Sequence, residues 1–390
     1  MKEIFLRKAR KYKLKIDSIE KSLFVDTKNL RTLDMCDNEL AKIEANTFED
    51  CIHLRKLYLS SNQLSHLNNL TFFGLKHLEE LNLSQNKLSR IESRTFESLL
   101  HLKKLFLNNN YINYLNEMSF KGMETLEDLY LFENRLTQLD ANTFKFLVNL
   151  KKLRLNKNQF LTIDKDALVN LKNLEDLYLN ENRIVFVEAD LFRDCSKLKV
   201  LNLVNNEIER FDAKSLSHLV SLEFFHVYSN RLHAIETNTF PRCLDKLRKL
   251  NLSKCHLMTI DVNALANLGS SLEELNVESN NLTRLNANTF QSLFKLRKLY
   301  LNSNKIQHLA RHAFSGLVCL EELNLQDNKL LKIESDTFEP LAQLKQLRLF
   351  INQIKSVEEG TFRGLVMLEE LYIGKNKVTF TKILSLLKSR

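Results

Sequence analysis

Three histidines, His53, His77 and His101, recur at a fixed interval of 24 residues. Three imidazoles at one repeating depth could hold Zn²⁺ if their rings converged. Tandem copies of a solvent-facing loop give the same spacing without any metal, and that is the expectation here. Paired carboxylates offer a second chemistry. Glu79-Glu80, Glu127-Asp128, Glu175-Asp176 and Glu273-Glu274 could place a general acid beside a general base. One interval away, however, stand Arg55-Lys56, Lys103-Lys104, Lys151-Lys152, Arg248-Lys249 and Arg297-Lys298. Cations that close hold both carboxyls of a pair ionised, which a general acid cannot be. The charges therefore read as a register ladder, each exposed pair contributing about 0.2–1 kcal/mol. No enzymatic activity, cofactor or metal is expected.

A third group is aromatic. Tyr58, Phe106, Tyr130, Tyr178, Tyr300 and Tyr372 share one phase of the interval, and Phe132, Tyr228 and Phe350 lie two residues further on in theirs. Phe106, Tyr130, Phe132, Arg154 and Tyr178 form the densest cluster. Tyr, Phe and Arg are the side chains that dominate protein interfaces, so these are candidates for binding a protein partner. Phe224, His226 and Tyr228 form a second focus, where the charge alternation breaks at Lys199-Val200 and Glu223-Phe224.

These side chains must be carried by a repeating element. The pattern L-x-x-L-x-L-x-x-N-x-L starts at Leu30 and restarts every 24 or 25 residues to Leu368, fifteen starts in all. Within it, Leu129-Tyr130-Leu131 alternates as a strand does. Strands repeated at a fixed offset stack in parallel, about 4.8 Å apart. The ninth position is Asn in every unit but one, where Cys255 stands instead. An amide there can satisfy donors and acceptors left by a sharp turn. Eighteen residues beyond the opening leucine Phe recurs, as at Phe48, Phe72, Phe96, Phe120 and Phe144, giving a spine of rings.

This pattern, with its segments Asn46-Thr47-Phe48, Asn142-Thr143-Phe144 and Asn288-Thr289-Phe290, closely resembles the 24-residue leucine-rich repeat of animal extracellular proteins such as Toll-type receptors, Slit and chaoptin. The resemblance covers residues 19–380. It implies an α/β solenoid, a curved horseshoe with a parallel β-sheet on its concave face, and a receptor- or adhesion-like role in which that face binds a protein.

Organisation follows. Residues 1–29 are a basic segment with a degenerate capping repeat, in which Lys11–Ile16 alternates as an edge strand would. Residues 30–380 are the repeats, and 381–390, with Ile383, Leu384, Leu386 and Leu387, form a capping helix. The 44% hydrophobic and 27% charged composition is globular, while 7 Gly and 2 Pro exclude phosphate-cradling loops and flexible linkers. Of the net charge of +9, much sits in Lys2, Arg7, Lys8, Arg10, Lys11, Lys13 and Lys15, opposed only by Glu3. That tail raises nucleic acid or anionic lipid as an alternative ligand, though a solvated terminus is expected.

No apolar stretch is long enough to span a membrane, and no secretory signal is visible. Cysteine caps are missing as well: Cys36, Cys51, Cys195, Cys243, Cys255 and Cys319 are scattered, with Cys51, Cys195 and Cys243 at buried leucine positions. Repeat subtype points to the extracellular side or cell surface, the missing signal and caps to an intracellular scaffold, and the first is the expectation. Sequons at Asn69, Asn82, Asn251 and Asn281 mark possible glycosylation. Partner identity and oligomeric state are not encoded in these patterns.

Overall fold

A computed structural model describes residues 2–6, 15–25, 27–212, 214–237, 239–379, 382, 383 and 385. Contacts divide the chain into two units, Met1–Leu201 and Asn202–Arg390. In the first, the strands Glu3–Phe5, Thr32–Asp34, Lys56–Tyr58, Glu80–Asn82, Lys104–Phe106, Asp128–Tyr130, Lys152–Arg154 and Asp176–Tyr178 pair in parallel in chain order. In the second, Phe224–His226, Lys249–Asn251, Glu274–Asn276, Lys298–Tyr300, Glu322–Asn324, Gln346–Arg348 and Glu370–Tyr372 do the same. Each unit is therefore a solenoid of leucine-rich coils. Between strands the chain returns through turns and, among the described residues, the short 3₁₀ helices Lys21–Phe24 and Ala266–Leu268.

The strand leucines supply the core. Leu105, Leu129, Leu153 and Leu177 are fully buried, as are Leu107, Leu131 and Leu155 behind them. Each such side chain contributes about 1.5–3 kcal/mol by leaving water. Deeper in the coil phenylalanines pair along a spine interrupted by Leu168, Leu216 and Leu265: Phe72 and Phe96 stack at 5.9 Å, Phe120 and Phe144 meet at 5.7 Å, and Phe314 and Phe338 stack at 5.9 Å. Phe24 joins the same row against Phe48 at 5.5 Å.

The asparagine ladder closes the coils in one recurring way, with Cys255 the exception. Asn134 Nδ2 donates to the carbonyls of Leu107 and Leu131, both at 3.0 Å, while its Oδ1 accepts from the Ile112 N–H at 3.0 Å. One amide thus ties two coils together. The residue before each such Asn is left-handed although it is not glycine: Asn109 has φ 56°, Glu133 54°, Lys157 55° and even the β-branched Ile351 54°. Scarcity of glycine accordingly says nothing about turns here, because the ladder holds ordinary side chains in a backbone region they usually avoid.

At the N-terminus Glu3–Phe5 is a strand in register with Thr32–Asp34, while the expected edge strand Lys11–Ile16 lies mostly outside the described residues. Residues 11–14 lie outside the described set. The Ile16 N–H donates to Asn38 Oδ1 at 3.2 Å, just as the Leu40 N–H donates to Asn62 Oδ1. Glu3-Ile4-Phe5 was the less obvious strand because its spacing to Ile16 is longer than in any later coil. At the other end Lys382, Ile383 and Ser385 are helical and Ile383 is buried, while Leu384, Leu386 and Leu387 fall outside the described residues.

All six cysteines are free thiols. Cys51 and Cys195 are core groups, and burial pushes the Cys195 thiol up to about 12. Cys243 departs from expectation: it is half-buried, and Leu244 next to it takes the core position, because the 25-residue unit shifts the loop by one residue.

Candidate protein-binding site on the strand face

Side chains at the first and third residues of each strand point away from the leucine core, so neighbouring coils set them side by side. Register aligns Phe106 with Tyr130, Tyr130 with Arg154, and Arg154 with Tyr178. The side chains follow that alignment. Phe106 and Tyr130 stack with centroids 4.5 Å apart and planes 10° from parallel. The Arg154 guanidinium lies 5.6 Å from the Tyr130 ring and 4.7 Å from the Tyr178 ring, sandwiched between them. A cation over two aromatic faces is held in place without surrendering its charge.

That guanidinium also has one unmatched donor. Its Nε is buried and has no hydrogen-bond partner. The nearby acids are engaged elsewhere: Asp128 pairs with Lys104 at 3.8 Å and Asp176 with Lys152 at 3.2 Å. The equivalent arginine of a later coil is different, since Arg348 pairs with Glu322 at 3.8 Å. Tyr300 and Tyr372 likewise donate to Glu322 and Glu370 at 3.2 and 2.9 Å. Burial, with Glu322 beside it, pushes the Tyr300 hydroxyl up to about 12, and burial with Glu80 does the same to Tyr58. Arg154 and its two tyrosines therefore stand apart from their counterparts, a difference that the repeat pattern of sequence did not show. Phe132 lies on the same face, half-buried, but joins no ring stack among the described residues.

The second cluster is less unified. Phe224 is 50% exposed where most other strands carry a charged residue. With His226, Lys249, Asn251, Glu274 and Asn276 it lines a cavity of about 180 Å³, floored by the 3.1 Å Lys249–Glu274 ion pair. Burial holds the His226 imidazole below its ordinary value. Tyr228 is half-buried and lies outside that lining.

The charge ladder runs along the strand entrance. Lys151 pairs with Glu127 at 2.8 Å, Lys199 with Glu175 at 2.7 Å, and Lys345 with Glu321 at 3.1 Å. Asp128 faces Lys104 and not Lys103, since like positions of adjacent coils meet. A hydrogen bond from Lys151, then its charge, lowers Glu127, and Lys199 does the same to Glu175. A carboxylate depressed in the folded state stabilises above its unfolded pKa, near 4.3, and that contribution disappears as pH falls through the folded value. The urea midpoint is accordingly expected to drop on acidification from pH 5 to pH 3, and by less in 1 M salt, where exposed pairs are screened. A midpoint that does not fall with pH would show the ladder to be energetically silent.

His53, His77 and His101 do stack, with ring centroids 6.2 and 5.5 Å apart. Among the described residues no group of three His, Cys, Asp or Glu side chains converges as metal ligands do. His101 Nδ1 is turned to the Lys76 carbonyl at 2.7 Å. Of the sequons, Asn69 is exposed and Asn281 half-exposed, whereas Asn82 and Asn251 sit in strands. Asn82 Oδ1 accepts from the Ser84 N–H and hydroxyl at 2.9 and 2.7 Å, and its strand neighbours are Tyr58 and Phe106. No described helix is long and apolar enough to cross a membrane.

A leucine-rich-repeat family model matches residues 14–64, 52–102, 77–136, 125–184, 172–232, 270–330 and 320–378, and a second such model matches 246–268. This chain belongs to the leucine-rich repeat family. Among solved leucine-rich-repeat structures it is similar to a chain of the glycosylated Toll–Spatzle complex of Drosophila, at 23% identity and TM-score 0.77 over 88% of this chain and 47% of that one. The present chain thus spans about half the length of that relative. A leucine-rich-repeat protein of Leptospira interrogans matches at 25% identity and TM-score 0.63, over 97% of this chain and 99% of its own. A chain of the octameric complex of Latrophilin 3, Unc5D and the leucine-rich repeats of FLRT2 matches at 27% identity and TM-score 0.57, covering 66% and 77%. The first likeness is one of fold. Two of these three leucine-rich-repeat structures are complexes with protein partners.

Proposed function

We propose that this chain is a non-enzymatic protein-binding module, receptor- or adhesion-like, that engages a protein partner on its strand face, the concave face of the expected horseshoe. The observation that carries the reading is the Phe106–Tyr130–Arg154–Tyr178 ladder, whose guanidinium pairs with no carboxylate among the described residues and keeps a buried, unbonded Nε. Aromatic rings packed around an arginine are what interface hot spots use. Phe132 extends that surface, and Phe224 with His226 and Tyr228 supplies a second contact. Location at the cell surface or outside the cell is supported by the repeat subtype. Glycosylation at Asn69 and Asn281 is compatible with such a surface, whereas a glycan on Asn82 would occupy the face beside Phe106.

The test is a binding screen against arrayed extracellular protein domains. A partner that binds the parent chain is expected to be lost on Tyr130→Ala with Tyr178→Ala and retained on Phe294→Ala, an exposed ring outside both clusters. Unchanged binding by the double variant would refute the strand-face site.

A second reading, an intracellular scaffold of the same geometry, draws support from the six free thiols, which a reducing compartment preserves. Binding of nucleic acid or anionic lipid through the basic tail remains separable. Neutralising Arg7, Lys8, Arg10, Lys11 and Lys13 to Gln tests it without deleting Glu3–Phe5, which the sheet needs.

A further inference from the structure

At the start of the sheet the charge order inverts. From Arg55 onward the second position of successive coils alternates through Glu79, Lys103, Glu127, Lys151 and Glu175. Arg31 N–H donates to the Lys2 carbonyl at 2.7 Å, and Arg55 N–H to the Arg31 carbonyl at 2.8 Å. Lys2, Arg31 and Arg55 are therefore neighbours in one row, three cations where the ladder calls for an acid in the middle. Like charges directly opposite one another on adjacent strands repel. Arg55 is paired to Glu79, but neither Lys2 nor Arg31 has a carboxylate partner among the described residues.

Beside this row the first two rings of the histidine stack, His53 and His77, lie 6.2 Å apart and 18° from parallel. The two rows meet around a cavity of about 370 Å³ lined by Lys2, Asn29, Arg31, His53, Arg55 and His77. Its wall holds three permanent cations, two imidazoles and an amide, and no carboxylate. The groups around the two histidines favour a negative guest over a cation.

We propose that this cavity binds the phosphate or sulfate ester group of a small molecule. A tetrahedral ester presents three acceptor oxygens and more than one charge when it is a phosphate. Arg31 offers a planar donor pair, Arg55 the donors that Glu79 leaves free, Lys2 a point charge, and the imidazoles and Asn29 further donors. A carboxylate, with two oxygens, would leave donors that a three-oxygen ester reaches unmatched. The site lies at the entrance to the first strands and is independent of the strand-face reading.

Calorimetric titration at constant ionic strength, with glucose 6-phosphate, glucose 6-sulfate and glucose as probes, tests the proposal. At least one ester is expected to bind, and glucose to be inert. Arg31→Gln and His53→Gln should each weaken the ester at least tenfold, while Lys151→Gln, in the same row but far along the ladder, leaves it unchanged. The preferred ester identifies the ligand chemistry. Failure of both esters to bind, or equal affinity in Arg31→Gln, overturns the site. A second variant reads the repulsion directly: Arg31→Glu restores the alternation, so it should raise the thermal midpoint in ester-free buffer and abolish ester binding. A lowered midpoint would contradict the like-charge row.

Discussion

Asn134→Ala is expected to lower the free energy of unfolding by about 3–5 kcal/mol, measured by urea titration of the far-UV circular dichroism. The amide is 7% exposed and joins Leu107, Leu131 and Ile112. Removing it leaves two carbonyls and an N–H buried without those partners, each worth about 1–3 kcal/mol when unsatisfied. It also frees Glu133, held at φ 54°, to leave the left-handed region. Asn376→Ala is the internal comparison. The same bonds form there, to Leu349 and Ile373 and from Ile354, but the residue is half-exposed and water can replace the amide. About 1 kcal/mol is expected in that case. Equal, small losses at both positions would mean that the ladder is not what closes the coils.

Arg154→Ala is expected to weaken a protein partner by roughly 100-fold, about 2.7 kcal/mol, through faster dissociation. Arg154→Lys should recover little, because an ammonium cannot lie flat between Tyr130 and Tyr178 as a guanidinium does. Surface plasmon resonance on the partner found in the screen measures both. Full rescue by lysine would show that charge alone matters and that the stack is incidental.

Much of the fold was legible because the solenoid repeats one solution. A single coil read correctly, with Leu129 and Leu131 inward, Asn134 at the turn and Phe144 in the spine, predicts the others. The ends were harder. Glu3–Phe5 pairs with Thr32–Asp34 through main-chain hydrogen bonds, which no side-chain pattern announces. Left-handed turns were also hidden, since Glu133 and Lys157 are held there by the ladder and not by their own preference. The candidate site was half visible. Recurrence gave the positions of Phe106, Tyr130, Arg154 and Tyr178, but tyrosine on a strand looks the same whether or not a neighbouring acid engages it. Only the partners of Lys104, Lys152 and Arg348 separate Arg154 from its counterpart.

Cys255 stands where the other coils carry the bridging amide. Its thiol donates to the Val227 and Ser253 carbonyls at 3.4 and 3.5 Å but has no oxygen to offer, and the buried Leu232 N–H, which such an oxygen would meet, has no partner among the described residues. Just beyond it the short strands Thr259–Ile260 and Arg284–Leu285 pair outward with Ala234–Ile235 and His308–Leu309, and a cavity of about 560 Å³ opens between them. A stack whose strength is the sum of nearest-neighbour joints yields at its poorest joint. The coil of Cys255 thus has a joint without the amide's oxygen on one side and a cavity on the other, where Asn280 still accepts from Cys255 and Leu257 N–H; under tension the second unit would yield first around this coil.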